Sequence, residues 1–291
     1  MPLNNTIAWF NATEKLNCGG ANAGIPATVA CMRTKSFEQI LNATALPPGL
    51  SSVTGQFGPT VDNKVVFGDY PQRAATGQYI QRPLFLGNND YEAGLFKIVA
   101  AASNTTLPDL SWAIFNLASF TCPAADTALA RSLHVPTYRY RYFGEFPNTR
   151  LTLNPSSGAW HGAEIGIVWQ TAADVSGEPN TPAEASISTY LAGAWSAFAK
   201  NPEMGLSQRP YGWPRYDADQ ATLIRLAYNN ETSASYILPV TYDIACPVLE
   251  AVLAKVPGGL TGLGTANVST LAPLGQFANL TTLGGGSEIG Y

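Results

Sequence analysis

Two short stretches hold the residue types from which acid–base chemistry is built. In GAWHGAEIGIVWQ, His161 stands between a bulky Trp160 and a small Gly162, with Glu164 three positions on. In LGNNDYEAGLF, Asp90 and Glu92 are two apart in an otherwise neutral loop. A histidine that works as a general base needs a carboxylate to fix its tautomer and a nucleophile whose proton it can take. Without them, a histidine beside aromatic residues is a half-buried packing residue. The other histidine, His134 in SLHVPTY, reads as structural.

The elements around these stretches set where the side chains fall. An apolar run from Pro83 to Leu86 predicts a strand, Gly87 to Asp90 a polar turn, and Leu95, Phe96 and Val99 a following helix. PTYRYRYFGEF alternates, with Thr137, Arg139, Arg141 and Phe143 on one face and Tyr138, Tyr140 and Tyr142 on the other, as a strand requires. Thr181 predicts an N-cap, Pro182 a first helical position and Glu184 a capping-box partner, ahead of a long helix with Ile187, Leu191 and Trp195 on its apolar face. TLIRLAY reads as an edge strand and DIACPVLEAVLAKV as another helix. Towards the N-terminus, Val29, Met32, Phe37 and Leu41 share helical spacing, and the Gly- and Pro-rich segment after them reads as irregular connection around one or two brief strands. Residues 257–291 read as an irregular tail.

Strands interleaved with helices predict an α/β fold with a mostly parallel sheet, whose chemistry gathers at the carboxyl ends of the strands. The loop with Asp90 and Glu92 follows one strand and the loop with His161 follows the next. Acid first and base second is the order of the α/β hydrolases, in which the nucleophilic Ser comes earlier still.

Composition narrows the function classes. Charged residues make up 12% of the 291, about half the usual share. Seven sequons, at Asn4, Asn11, Asn42, Asn104, Asn230, Asn267 and Asn279, suggest a surface made soluble by glycans. Four cysteines fit an oxidising compartment, and Cys18 with Cys31 bracket a short loop that a disulfide could close. Their spacing has no C-x-x-C pair, so neither a structural zinc site nor any other metal is expected. A net charge of −4 offers no basic stripe for nucleic acid. No apolar run approaches the length of a transmembrane helix. The opening MPLNNTIAWFNATEKLN is not a signal peptide, so the secretory reading requires a natural N-terminus that lies elsewhere.

LGNNDYEAGLF, FTCPAADTALARSLHVPTYRYRYFGEFPN and GAWHGAEIGIVW together resemble the type-B carboxylesterase/lipase family, which includes the cholinesterases, and are most similar to its secreted fungal members. The resemblance runs through about Val256. In that family the triad acid is a Glu with a Phe four residues on, which favours Glu92, followed by Phe96, over Asp90. Tyr91 departs from the Asp that often precedes the Glu there. The base lies in H-G-x-E, matched by His161, Gly162, Ala163 and Glu164. The resemblance further implies disulfides Cys18–Cys31 and Cys122–Cys246. Glu164 is expected to be a buried, hydrogen-bonded acid supporting the site, and Asp90 a turn residue bonding local backbone N–H groups.

The implied fold is the C-terminal portion of a single α/β-hydrolase domain spanning residues 1–291, helices flanking a mostly parallel sheet. The implied activity is hydrolysis of a small-molecule or lipid carboxylic ester by a Ser–Glu–His triad, without a cofactor, in a secreted protein. G-x-S-x-G is absent; in the family it precedes the first disulfide, so the nucleophile and the oxyanion donors are expected on a missing N-terminal half. The alternative expectation is a catalytically inactive, cholinesterase-like interaction protein or a truncated relative.

Overall fold

The computed structural model describes residues 2–45, 57–255 and 273–275. The chain divides into two compact units, Met1–Tyr70 with Ala100–Leu107, and Pro71–Val99 with Pro108–Tyr291.

The first unit is helical. Helix α1 (Pro2–Lys15) buries Ala8 and Ala12, and Thr13 on it donates through Oγ1 to Gly19 O at 2.6 Å. Helix α2 (Gly24–Met32) receives the α1 side through Trp9 Nε1, which donates to Thr28 Oγ1. Cys18 and Cys31 are joined by a disulfide that closes the loop between these helices. The helical spacing from Val29 to Leu41 belongs to two helices rather than one. The chain leaves the helix after Met32, and Ser36 caps a new one, α3 (Phe37–Thr44), by a capping box with Gln39. Met32 is therefore buried while Phe37 and Leu41 face outward. In the Gly- and Pro-rich segment, the described residues from 57 to 79 contain a short helix, α4 (Tyr70–Ala75), and no strand; residues 46–56 lie outside the description.

The second unit is a four-stranded sheet in the order β1-β2-β3-β4. Strand β1 (Leu84–Asn89) pairs in parallel with β2 (Thr137–Tyr142), and β2 in parallel with β3 (Leu223–Leu226). Strand β4 (Ser235–Ile237) closes the order antiparallel to β3. TLIRLAY is thus an interior strand, because the short SYI segment, which sequence periodicity did not register, covers it. Gly87, Asn88 and Asn89 are strand rather than turn. A Cβ at Gly87 would lie 2.4 Å from Tyr140 O, so only glycine permits the close approach of β1 to β2 there.

Both faces of β2 are covered, which explains how so polar a strand can be central. The tyrosine face packs on helix α10 (Pro182–Lys200) through Ile187, Leu191 and Ala194, with Ile167, Trp213 and Ile224 in the same core. The predicted capping box at Thr181 and Glu184 starts α10. The arginine face is neutralised within the protein: Arg139 makes a bidentate pair with Asp243 at the end of the short helix α11 (Val240–Asp243), and Arg141 pairs with Asp90. Beside that face run α6 (Asp109–Asn116), a π-helical turn at Leu117–Thr121 and α7 (Cys122–Ser132). Cys122 is bonded to Cys246, the first residue of α12 (Cys246–Leu253). Within 257–291 the description covers only residues 273–275, a helical turn whose Leu274 is buried in one cluster with Ile114, Leu117 and Leu249. Among the described residues, no helix is long and apolar enough to cross a membrane.

Candidate active site

Strands β1 and β2 deliver two loops to one end of the sheet. The first turns at Asp90 and Tyr91 into helix α5 (Ala93–Ala102) and carries Glu92. The second runs from β2 through the segment before the short helix α8 (Ile165–Val168) and carries His161. Tyr91 N donates to Ala159 O at 3.1 Å, tying the loops together. Gly162 follows His161 with φ +99°, a conformation that favours glycine and lets the chain turn sharply into α8.

Glu92 and His161 meet there. His161 Nδ1 lies 2.7 Å from Glu92 Oε2. The carboxylate's other oxygen, Oε1, accepts from Asn89 N at 2.6 Å. A carboxylate only accepts hydrogen bonds, so in the neutral imidazole the proton sits on Nδ1 and Nε2 keeps its lone pair. The Glu92 side chain is 6% exposed and that of His161 49%, so the acid is shielded while the ring is reachable. Phe96 and Phe120 lie against the imidazole, with ring centroids at 5.5 and 5.1 Å. Burial pushes the Glu92 carboxyl above its ordinary range, opposed by the Asn89 N–H and by His161, while the nearby Glu164 carboxylate adds to the upward shift.

The other residues singled out from sequence fall as follows. Glu164 is half-buried rather than fully buried, and accepts from Asn89 Nδ2 at 2.5 Å. Asp90 does not bond the local backbone through its carboxylate. It accepts from Arg141 Nε at 2.8 Å, because a buried guanidinium on the adjacent strand must be matched by a charge within reach. Both cysteine pairs are bonded as the resemblance implied. His134 is exposed, with Nε2 3.0 Å from Ala75 O, far along the chain from the Glu92 loop. Of the sequon residues, Asn11, Asn42 and Asn104 are exposed, and Asn230 is half-buried. The side chain of Asn4 and the whole of Asn267 and Asn279 lie outside the described residues.

Sequence reasoning missed Asn89, Phe120 and Asn116. Asn116 Oδ1 accepts from Ala93 N and its Nδ2 donates to Asp90 O, which clamps the Glu92 turn from behind. A lone Asn in the apolar run SWAIFNLASF was the readable sign of such a clamp, and the structure buries it fully. A cleft of about 470 Å³ opens beside His161, walled by Trp160, Ile165 and, from the short helix α9 (Ala172–Ser176), Ala172 and Val175, with Arg150 among its lining residues.

Residues 102–239 match the model of the carboxylesterase family. The chain is also 30% identical over 213 residues to a chlorogenic acid esterase of Aspergillus niger, an alignment covering 68% of this chain and 40% of that protein. The chain belongs to the carboxylesterase family. Solved structures agree on the α/β-hydrolase fold. A PNB esterase superposes with a TM-score of 0.58 at 20% identity, over 80% of this chain and 51% of its own. A thermophilic PNB esterase does so with a TM-score of 0.56 at 19% identity, over 80% and 50%. The carboxylesterase-family chain therefore spans about half the length of these structures and two fifths of the curated relative.

Proposed function

We propose that this chain supplies the acid and the base of a Ser–Glu–His triad in a carboxylic ester hydrolase. One observation carries the reading: a buried Glu92 carboxylate holds Nδ1 of a half-exposed imidazole at 2.7 Å beside an open cleft. In this reading His161 Nε2 takes the hydroxyl proton of a serine as its oxygen bonds to the ester carbonyl carbon. The carbonyl π pair moves to oxygen and returns as the alkoxide leaves, taking the proton back from the imidazolium. Water then repeats the sequence on the acyl-enzyme, releasing the acid and restoring serine. Glu92 stays ionised throughout, holding the tautomer and balancing the imidazolium charge.

The chain contains no G-x-S-x-G, so the serine and the oxyanion donors belong in this reading to a further segment. Strand β1 stands at the end of the strand order and its far side is where such a segment would add a strand. Residues 1–291 then form the C-terminal part of a single α/β-hydrolase domain. The substrate is a small-molecule or lipid carboxylic ester, and the cleft's apolar walls suit an uncharged acyl or alkyl group. Two disulfides and the exposed sequons support a secreted protein.

The test is hydrolysis of a p-nitrophenyl ester. The chain alone is expected to give background rates, and co-expression with a segment carrying G-x-S-x-G is expected to give turnover. In that assembly His161→Ala abolishes activity, and Glu92→Gln lowers kcat by about three to four powers of ten, because the amide offers N–H to the ring and favours the wrong tautomer. Turnover by the chain alone that His161→Ala removes, or full activity of the assembled Glu92→Gln variant, would overturn the assignment.

A further inference from the structure

Asn89, the last residue of β1, touches both partners' surroundings at once. Its backbone N–H holds Glu92 Oε1 at 2.6 Å, which leaves Oε2 for His161. Its side-chain Nδ2 donates to Trp160 O at 2.7 Å and to Glu164 Oε2 at 2.5 Å. Those acceptors stand one residue before and three residues after His161, so the loop is gripped on both sides of the imidazole.

The amide can sit only one way round. Nδ2 carries two hydrogens and both are used, while Oδ1 is buried without a hydrogen-bond partner. Turning the amide over would press Oδ1 against a carbonyl and a carboxylate oxygen, two acceptors with nothing to donate. Asn89 is 1% exposed and lies opposite Tyr142 in the register of β1 and β2, so the frame it belongs to is an ordered strand and not a loose loop.

We infer that Asn89 is a positioning residue that sets the imidazole in register with its carboxylate, using Glu164 as the far anchor of the His161 loop. The inference rests on the reading of Glu92 and His161 as orienter and base. Asn89 itself touches no reacting atom. Its action is to restrict where the ring nitrogen can lie relative to Oε2, and the polar face of Glu164 serves that purpose rather than a second acid function. Loss of the Asn89 amide frees the loop to drift, the Nδ1 hydrogen bond lengthens, and the ring samples both tautomers.

Nuclear magnetic resonance of the full chain with ¹⁵N-labelled histidine tests this without any need for turnover. The chain has two histidines, so His161→Ala assigns the signals. The unsubstituted chain is expected to show a single Nδ1–H tautomer of His161 and a downfield, slowly exchanging ring proton. Absence of that pattern removes the acid–base reading and the inference with it. With the pattern present, Asn89→Ala is expected to mix the tautomers and speed exchange of the ring proton by about tenfold, while the His134 signals and the circular dichroism stay unchanged. A folded Asn89→Ala chain with an unaltered His161 spectrum overturns the inference and leaves the acid–base reading standing. Should Asn89→Ala not fold, Glu164→Ala and Glu164→Gln decide. Gln can accept the same bond and is expected to keep the signal that Ala loses; equal spectra from the two overturn the proposal.

Discussion

Asp90 and Arg141 form an ion pair, Oδ1 to Nε at 2.8 Å, with side chains 11% and 2% exposed, two residues upstream of the carboxylate that meets His161. The guanidinium also donates from Nη2 to Asp90 O and lies 4.3 Å from the centre of the Tyr242 ring. The pair thus fixes the backbone from which the Glu92 turn departs. Burial pushes the Asp90 carboxyl up and Arg141 pulls it back.

Removing one member of such a pair strands the other charge in the protein interior. Asp90→Ala is expected to cost about 3–5 kcal/mol. Asp90→Asn keeps an acceptor for Nε but not the charge and is expected to cost less. Urea unfolding of the full chain measures both, and an Asp90→Ala chain as stable as the original would show that the pair contributes nothing net.

Glu92 makes stability depend on pH in a direction opposite to the common carboxylate case. Its folded-state pKa is raised above the ordinary 4.5, chiefly by burial. Between 4.5 and the raised value the folded chain keeps a proton that the unfolded chain has lost, so stability falls as pH rises through that window and the contribution is absent above it. Glu92→Gln, which cannot ionise, is expected to flatten the slope there. Thermal melts at closely spaced pH values check this, and parallel curves for the two chains would contradict it.

The two disulfides should differ in worth. Cys122–Cys246 closes a separation of 124 residues and Cys18–Cys31 one of 13. Chain-entropy arguments give about 5 and about 3 kcal/mol respectively. Paired Cys→Ser variants compared by denaturant midpoint are expected to rank in that order, with the longer closure also anchoring the helices around Leu249 and Ile114.

Not every sequon suits a glycan. Asn230 uses both ends of its amide on Glu145, accepting from its N at 3.0 Å and donating to its O at 3.2 Å. After expression in a glycosylating host, peptide mapping is expected to find sugar on exposed Asn11, Asn42 or Asn104 and none on Asn230. Asn230→Gln is expected to lower stability by about 1–2 kcal/mol through loss of that bidentate contact.

What could be read from sequence divides along physical lines. Thr181 and Glu184 announced α10 because capping is local chemistry within four residues. Strand β2 was legible from alternation, whereas the residues alone left Asp90 and Glu92 both open as the partner of His161, and only the family resemblance pointed to Glu92. Asp90 was misjudged because its partner Arg141 is supplied by a neighbouring strand, and no local pattern reveals a match made across a sheet. The SYI strand was missed since three residues carry no periodicity; only its pairing with β3 defines it. Asn89 escaped notice for the same reason, its acceptors Trp160 and Glu164 lying about seventy residues on along the chain.

The π-helical turn at Leu117–Thr121 bears on how this part of the molecule tolerates insertions and deletions. A π turn accommodates one residue more than the same span of α-helix. Here that extra residue lets Phe115 stay beside Phe96, Phe120 reach the imidazole, and Cys122 still face Cys246. Were the same residues wound as regular α-helix, everything downstream of the turn would be rotated by about 100°. The aromatic wall and the sulfur bridge would then point to different sides of the helix, so at this spot chain length, more than residue identity, is what substitution experiments by themselves would leave unexplored.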